Sequence, residues 1–441
     1  MTAADLRMWH RPRQSGRIAA VAVVIVGAAL GFGAGAHPKL VLGAVIGVMA
    51  VLVAATRPQL ALALFLVSIP LEYGWQIHGN QSLTVTKFAG ALCFAGFALY
   101  AVRTHRPIRI DRSHVLVLAL LCLALASTAA AAAGMSVTIR YLSWALLYVV
   151  LTQFADDHAT LRMLLWSLVL SAAVAGVWGC LDFLSGKTVL ATLPYGQQND
   201  YAFVLATVLP IGLWLTMTSR RWWRVLALVA TTCIVAGIAL SLSRGAWLAV
   251  AVSVAFYMAA HRRQAKFLLA CTVAAAVSVG IFVALDPGRI QEGARAKQAV
   301  AQQNVNSRLT LWRGAANLAA DHPLLGIGPG NFGHYYYSIT GAPIGSPPLL
   351  EVHETYLEVA AELGPMGLVV FAAFLFVILS RLNDAVRRRA GPEHLAPYLR
   401  MAFLAVLVGF LTTSEEFFAP VWLVSGLATL VWLERPSASS I

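Results

Sequence analysis

Residues 114–133 read HVLVLALLCLALASTAAAAA, a run with no Asp, Glu, Lys or Arg. A helix rises about 1.5 Å per residue, so this run covers the ~30 Å hydrocarbon core of a bilayer. It is continuously apolar rather than alternating, which selects a spanning helix over a barrel strand. Read outward from it, the chain offers further spans at 18–35, 39–55, 58–72, 85–102, 138–155, 161–183, 199–218, 223–242, 245–260, 265–285, 366–381, 398–412 and 416–433. The runs at 58–72 and 398–412 are short enough to be re-entrant or merged. The expected fold is all-α and polytopic, with about 12–14 transmembrane helices.

Composition agrees. Of 441 residues, 59% are hydrophobic and 12% charged, about half the charged fraction of a soluble chain. The net charge of +13 sits in short clusters between apolar runs, so topology explains it and nucleic acid is not an expected partner. Cys93, Cys122, Cys180, Cys233 and Cys271 all fall inside spans, outside any Cys-x-x-Cys pair. They read as small apolar residues, not as a disulfide framework or a thiolate metal site. The first run, 18–34, reads as a retained helix rather than a cleaved signal.

Charge sets the expected orientation. Arg11-Pro12-Arg13, Arg103 to Arg112, Arg220 to Arg224, His261 to Arg263 and Arg387 to Arg389 fall on one side of a fourteen-span chain. The positive-inside rule makes that side cytoplasmic. The opposite, outer side then collects Lys87, Arg140, Gln197 to Asp200, Arg244, Glu415, Glu416 and the hydrophilic stretch 286–352. Arg140 and Arg244 stand against the rule there, which makes each a functional candidate beside the plainer reading of a snorkelling interfacial arginine. Three regions follow: transmembrane helices over 1–285, an outer loop with short helices over 286–365, and C-terminal transmembrane helices over 366–441.

Within the loop, Asn306-Ser307 reads as a cap for a helix from Arg308 to Ala320 that ends at His322-Pro323. Arg308, Trp312, Ala316 and Ala319 share one face of it, and Arg313 lies about 140° around from Arg308. Leu324 to Phe332 holds three glycines and a proline in a tight backbone. No lysine or hydroxyl residue follows as in a phosphate loop, so a structural turn is the better reading. Tyr335 to Pro348 reads as flexible loop, and His353 is expected to open a helix running to Leu363, broken at Gly364-Pro365. Glu354, Glu358 and Glu362 make an acidic stripe on it, expected to be solvated or paired with loop arginines. A histidine at a helix N-terminus is held neutral by the positive helix end, as a general base requires.

Together these motifs resemble the O-antigen ligase and polymerase superfamily of bacterial envelope glycosyltransferases. The carrying residues are Ser243-Arg244-Gly245, Asn306-Ser307-Arg308 with Trp312, Pro323 to Phe332, and His353 with Tyr356-Leu357 and Glu362-Leu363-Gly364. The resemblance covers about 240–380. It implies a GT-C-related membrane fold and an inverting, metal-independent glycosyl transfer without a cofactor. It further implies an undecaprenyl-diphosphate-linked glycan as donor, and as acceptor a sugar hydroxyl of lipid A-core or a second lipid-linked glycan. The site would face the periplasm from a bacterial inner membrane. On this pattern His353, Arg244 and Arg308 are the catalytic candidates, and Arg140, Arg313, Gln198, Asn199 and Trp312 the substrate-binding ones. Where the family often has Asn after the histidine, this chain has Glu354. A diphosphate leaving group needs fixed positive charge, which arginine's planar fork supplies. Ligase or polymerase is left open. A metal-dependent oligosaccharyltransferase would need an outer Asp-x-Asp pair that the chain lacks, and a transporter would need ionisable residues near mid-membrane.

Overall fold

The computed structural model describes residues 47–261 (apart from 48, 75, 78–79, 106, 132–133, 155–157 and 195), 287–343, 351–414 and 418–433. The expected spans at 18–35 and 265–285, most of the one at 39–55, and Arg11, Arg13, Arg262, Arg263, Cys271, Glu415 and Glu416 lie outside the described residues. What is described is a helical bundle with a two-strand hairpin. The first helices, α1 (Met49–Thr56) and α2 (Pro58–Ser68), meet at 113°. Pro58 explains the break, because it lacks an N–H and cannot continue a helix from the preceding turn. The short run expected at 58–72 is thus one arm of a bent pair. The hairpin β1 (Gln76–Ile77) and β2 (Asn80–Thr84) follows, antiparallel.

The spanning helices are α3 (Val85–Thr104), α4 (Arg112–Ala130), α5 (Met135–Thr152), α6 (His158–Leu184), α7 (Gln198–Thr218) and α8 (Arg221–Leu240). After α9 (Arg244–Ala260) come the outer helices α10 (Pro287–Asp321) and α11 (Tyr336–Thr340). The chain returns through α12 (Thr355–Arg387), α13 (Ala396–Gly409) and α14 (Ala419–Leu433). Seven described helices are long and apolar enough to cross a membrane, or eight counting the bent pair, and α9, α13 and α14 are shorter apolar helices. α7 is the buried centre, wrapped by α6, α8, α9 and α13. Helices at the rim turn large apolar side chains outward, among them Val102, Leu118, Val369 and Phe376. Such an exposed apolar belt needs lipid to cover it. Free Cys93 is buried, while Cys122 is exposed on α4.

Two details of the outer region differ from expectation. The helix expected from Arg308 begins at Pro287, so Asn306-Ser307 lies inside it rather than capping it. Pro at the first helical position and the Ala, Gln, Lys and Arg that follow favour this early start. The stretch after Tyr335 is also not all loop, since Phe332–Tyr335 is a 3₁₀ turn leading into α11.

At the end of the bundle away from this region, Arg381 of α12 is buried. Its Nη2 lies 3.0 Å from Asp111 Oδ1, and its Nη1 donates to Ser113 Oγ at 2.7 Å and Thr429 Oγ1 at 3.2 Å. Ser113 also bonds Tyr148. This network ties α4, α5, α12 and α14 together. Removing one partner of such a buried pair is costly because the other is left charged and unpaired.

Candidate active site

Helix ends distant in sequence converge at the outer end. Ser127 Oγ, near the end of α4, donates to the carbonyl of Glu362 at 2.8 Å. Ser243 Oγ donates to Asn199 Oδ1 at 3.0 Å, joining the start of α9 to the start of α7. Gly245 abuts Thr412 so closely that a Cβ there would lie 2.3 Å from its hydroxyl. Thr412 in turn leads to Ser414, whose Oγ accepts the His353 N–H at 3.0 Å. Asn199, Arg244 and His353 are thereby gathered at one end of the bundle, and Arg140 lies within electrostatic reach of Glu351 there.

His353 lies two residues before α12, at φ 58°. The N-cap is Glu354, whose Oε2 accepts from Leu357 N at 2.6 Å. The expectation that His353 opens the helix is corrected by two residues, because an acidic side chain satisfies the first N–H groups better than imidazole. The same contact explains Glu354 at this place in the motif. Burial pushes the His353 pKa down to about 4, and the cationic Arg308 nearby pushes the same way. The imidazole is neutral, as expected, but burial is the main cause.

Glu351 and Asp200 complete this centre and were not foreseen as site residues. Glu351 Oε2 lies 3.8 Å from His353 Nδ1, beyond hydrogen-bond length but within ion-pair reach. Burial pushes the Glu351 pKa up to about 8. The neighbouring Asp200 carboxylate adds to this, Arg140 opposes it, and Glu362 contributes in the raising direction. Arg140 is exposed, with its guanidinium 5.9 Å from the ring centre of Phe418. The centre therefore pairs a neutral imidazole with a carboxyl group poised near neutral pH, beside an accessible cation. A carboxylic residue two positions before the histidine, on the same side of the membrane, was the available signal.

Arg308 and Trp312 lie one turn apart on α10. Arg308 Nε and Trp312 Nε1 are both buried without a hydrogen-bond partner. A buried unpaired donor is costly, so two side by side call for an acceptor that arrives with a ligand. Trp312 packs against Leu311, Ala315, Ile327, Phe332 and Val352, which form a small outer core. Ala315 rather than Ala316 faces this core, since Ala316 is exposed. Arg313 points away from the core and is exposed, and no contact joins it to His353 among the described residues. Arg244 is exposed as the first residue of α9, and Gln198 is half-buried as the first residue of α7.

The glycine-rich turn serves the scaffold. Gly326, Gly328 and Gly330 all have positive φ. Ile327 N and Gly328 N donate to the carbonyls of Ala361 and Glu362 at 2.9 and 3.0 Å. The Glu362 carboxylate accepts from Gly330 N at 2.8 Å and Phe332 N at 3.3 Å. These N–H groups of the turn are thus occupied by the carbonyls of Ala361 and Glu362 and by the Glu362 carboxylate, which removes them as a phosphate cradle. The acidic stripe is likewise not a solvated face: Glu354, Glu358 and Glu362 are all buried. Its outward position was a misreading of which side α12 packs, since the turn, α10 and the 410–414 segment cover it.

The O-antigen ligase family model matches residues 229–372, about a third of the chain. That segment runs from α8 through the outer helices into α12 and contains Arg244, Arg308, Trp312, Arg313 and His353. It supports the resemblance to the O-antigen ligase superfamily, and with it a ligase- or polymerase-type role in envelope glycan transfer. Searched against curated proteins, the chain finds no match.

Proposed function

We propose that this chain, built around the O-antigen ligase segment, transfers a glycan from undecaprenyl diphosphate to a sugar hydroxyl, with lipid A-core as the acceptor. The observation that carries the reading is the neutral, half-buried His353 within electrostatic reach of Arg308, whose Nε is unpaired, as is Trp312 Nε1 one turn on. In the reaction the acceptor oxygen forms a bond to the anomeric carbon. The carbon–oxygen bond to phosphate breaks, and its electron pair leaves on the diphosphate. His353 takes the hydroxyl proton on Nε2. Arg308 and Trp312 donate to the departing diphosphate, and Arg244 and Arg140 add charge from the accessible side. Glu351, when ionised, faces His353 Nδ1 at 3.8 Å and favours the proton on that nitrogen, which leaves Nε2 free to act as base. Gln198 and Asn199, at the start of α7, contact the sugar. Arg313 is assigned only a peripheral electrostatic role.

Fixed arginines supply the leaving-group charge, so the transfer needs no divalent metal. The catalytic end faces the periplasm of an inner membrane, because Arg103, Arg220 to Arg224 and Arg387 to Arg389 terminate helices at the other end. A polymerase reading uses the same chemistry with a second lipid-linked glycan as acceptor. Reconstitution with lipid-linked glycan, with and without lipid A-core, separates the two. A product on lipid A-core supports the ligase, and chain growth without it supports the polymerase.

A further inference from the structure

At the end of the bundle away from His353, a cavity of about 600 Å³ opens between the starts of α6 and α8. Arg162, Trp166, Ser167, Thr218, Arg220 and Trp223 line it. A second cavity of about 630 Å³ continues along the same seam, walled by Val174, Val177, Leu181, Leu226 and Val229, and ends at the Asp182–Lys187 ion pair. Leu170 lines both, so they form one crevice with a polar mouth and an apolar body. The helices touch partway along the seam, where a Cβ on Gly176 would lie 2.5 Å from the carbonyl oxygen of Cys233, and the crevice continues past that point to Leu181. Among the described residues the crevice is open on the rim side, where Val174 and Val177 are exposed.

The mouth carries excess positive charge. Arg220 and Arg221 are exposed. Arg224 donates to Ser219 O at 3.0 Å, and Arg162 pairs with Glu393 at 3.1 Å. Glu393 is the one acidic residue that lines the mouth among the described residues. Trp166 and Trp223 meet edge to face at 5.4 Å, and Trp222 is 82% exposed beside them. Tryptophan and arginine at a helix end belong to the headgroup level of a bilayer. From Trp166 to Leu181, both of which line the crevice, the helix rises about 22 Å, so the seam can hold an extended acyl chain inside a ~30 Å core.

We propose that this crevice binds one anionic phospholipid of the leaflet opposite the catalytic end, its phosphate at Arg220 and Arg162 and one acyl chain along the α6–α8 seam. Charge selects an anionic headgroup over a zwitterionic one, as basic pockets between membrane helices do. The donor lipid's diphosphate is not the occupant of the mouth. α7 runs from the His353 end to Thr218 at this mouth, about 31 Å away along its axis.

The test is native mass spectrometry of the delipidated full chain, titrated with phosphatidylglycerol and phosphatidylcholine of matched chains. One phosphatidylglycerol should bind at least about tenfold more tightly than phosphatidylcholine. The double variant Arg220→Gln/Arg221→Gln should bring the two within about twofold while its thermal midpoint stays unchanged. Val177→Trp, which fills the apolar body, should weaken phosphatidylglycerol binding with the arginines intact. Glycerophosphoglycerol, the headgroup without chains, should fail to compete. Equal retention of both lipids, or full competition by the chain-free headgroup, would overturn the proposal. Displacement by undecaprenyl phosphate at equal affinity would also overturn it and give the crevice to the donor.

Discussion

At the scale of single residues, the site turns on which nitrogen of His353 is free. Protonated Glu351 would donate to Nδ1 and leave the proton on Nε2, the wrong tautomer for a base. Ionised Glu351 favours the proton on Nδ1 and frees Nε2. Because Glu351 holds its proton up to about pH 8 and His353 stays neutral down to about pH 4, Glu351 should set the acid limb. We expect kcat/KM to fall as pH drops through about 8 in the wild type. Glu351→Gln, which cannot titrate, should move that limb toward about 4, where His353 takes up its proton. An unmoved limb would remove Glu351 from the proton path. Trp312→Phe keeps the ring and deletes only the N–H. If that donor reaches the diphosphate, kcat/KM should drop roughly ten- to a hundredfold, the worth of a hydrogen bond to a charged group. An unchanged value would leave Trp312 as packing alone. Arg140 and Arg244 stand out as candidates in the sequence because charge against the topology rule is conspicuous, and His353 because it ends the polar stretch where a helix begins. Glu351 and Asp200 were not, because their importance comes from residues up to hundreds of positions away folding around them. Reading the acidic stripe as solvated failed for the same reason: the sequence of α12 does not say which neighbours cover that face.

At the scale of elements, the glycine-rich turn and the start of α12 act as one unit. Gly326 has φ 65°, and a Cβ there would lie 2.4 Å from the Glu362 carbonyl carbon. Gly326→Ala should therefore push the turn off α12, and with it the outer core that seats Trp312. Glu362→Gln is the gentler probe. The amide offers one oxygen where the carboxylate offered two, so either Gly330 N or Phe332 N loses its acceptor. The expected cost is about 1–3 kcal/mol, read as faster protease cleavage within 324–340 than in the wild type. Equal cleavage rates would show that the clamp is dispensable. The break at Gly364-Pro365 was readable from residue types, and it appears as non-helical backbone at Gly364 inside α12. The start of α10 was missed because a polar helix on the outer face carries little apolar periodicity, leaving only propensity and Pro287 to mark it.

At the scale of the whole molecule, apolar runs gave the described spanning helices, since lipid demands the same property that the sequence displays. What they could not give was the interior of the bundle, where Arg381 and Asp111 bind four helices into one body. Arg381→Ala should destabilise the protein by roughly 3–5 kcal/mol, seen as a lower thermal midpoint in detergent. A midpoint equal to wild type would mean that Asp111 is satisfied by other donors. Orientation is testable at Ser338, which is exposed on α11. A cysteine placed there should react with an impermeant thiol reagent in intact cells whose outer membrane is permeable. Labelling only after inner-membrane rupture would reverse the topology. The central claim, that His353 takes the acceptor proton while the arginines hold the donor, is tested most directly by pairing single-turnover transfer with donor binding in His353→Ala. The account predicts transfer slowed by roughly 10²–10⁴-fold with donor affinity within about twofold of wild type. Wild-type transfer, or donor affinity lost in step with transfer, would contradict it.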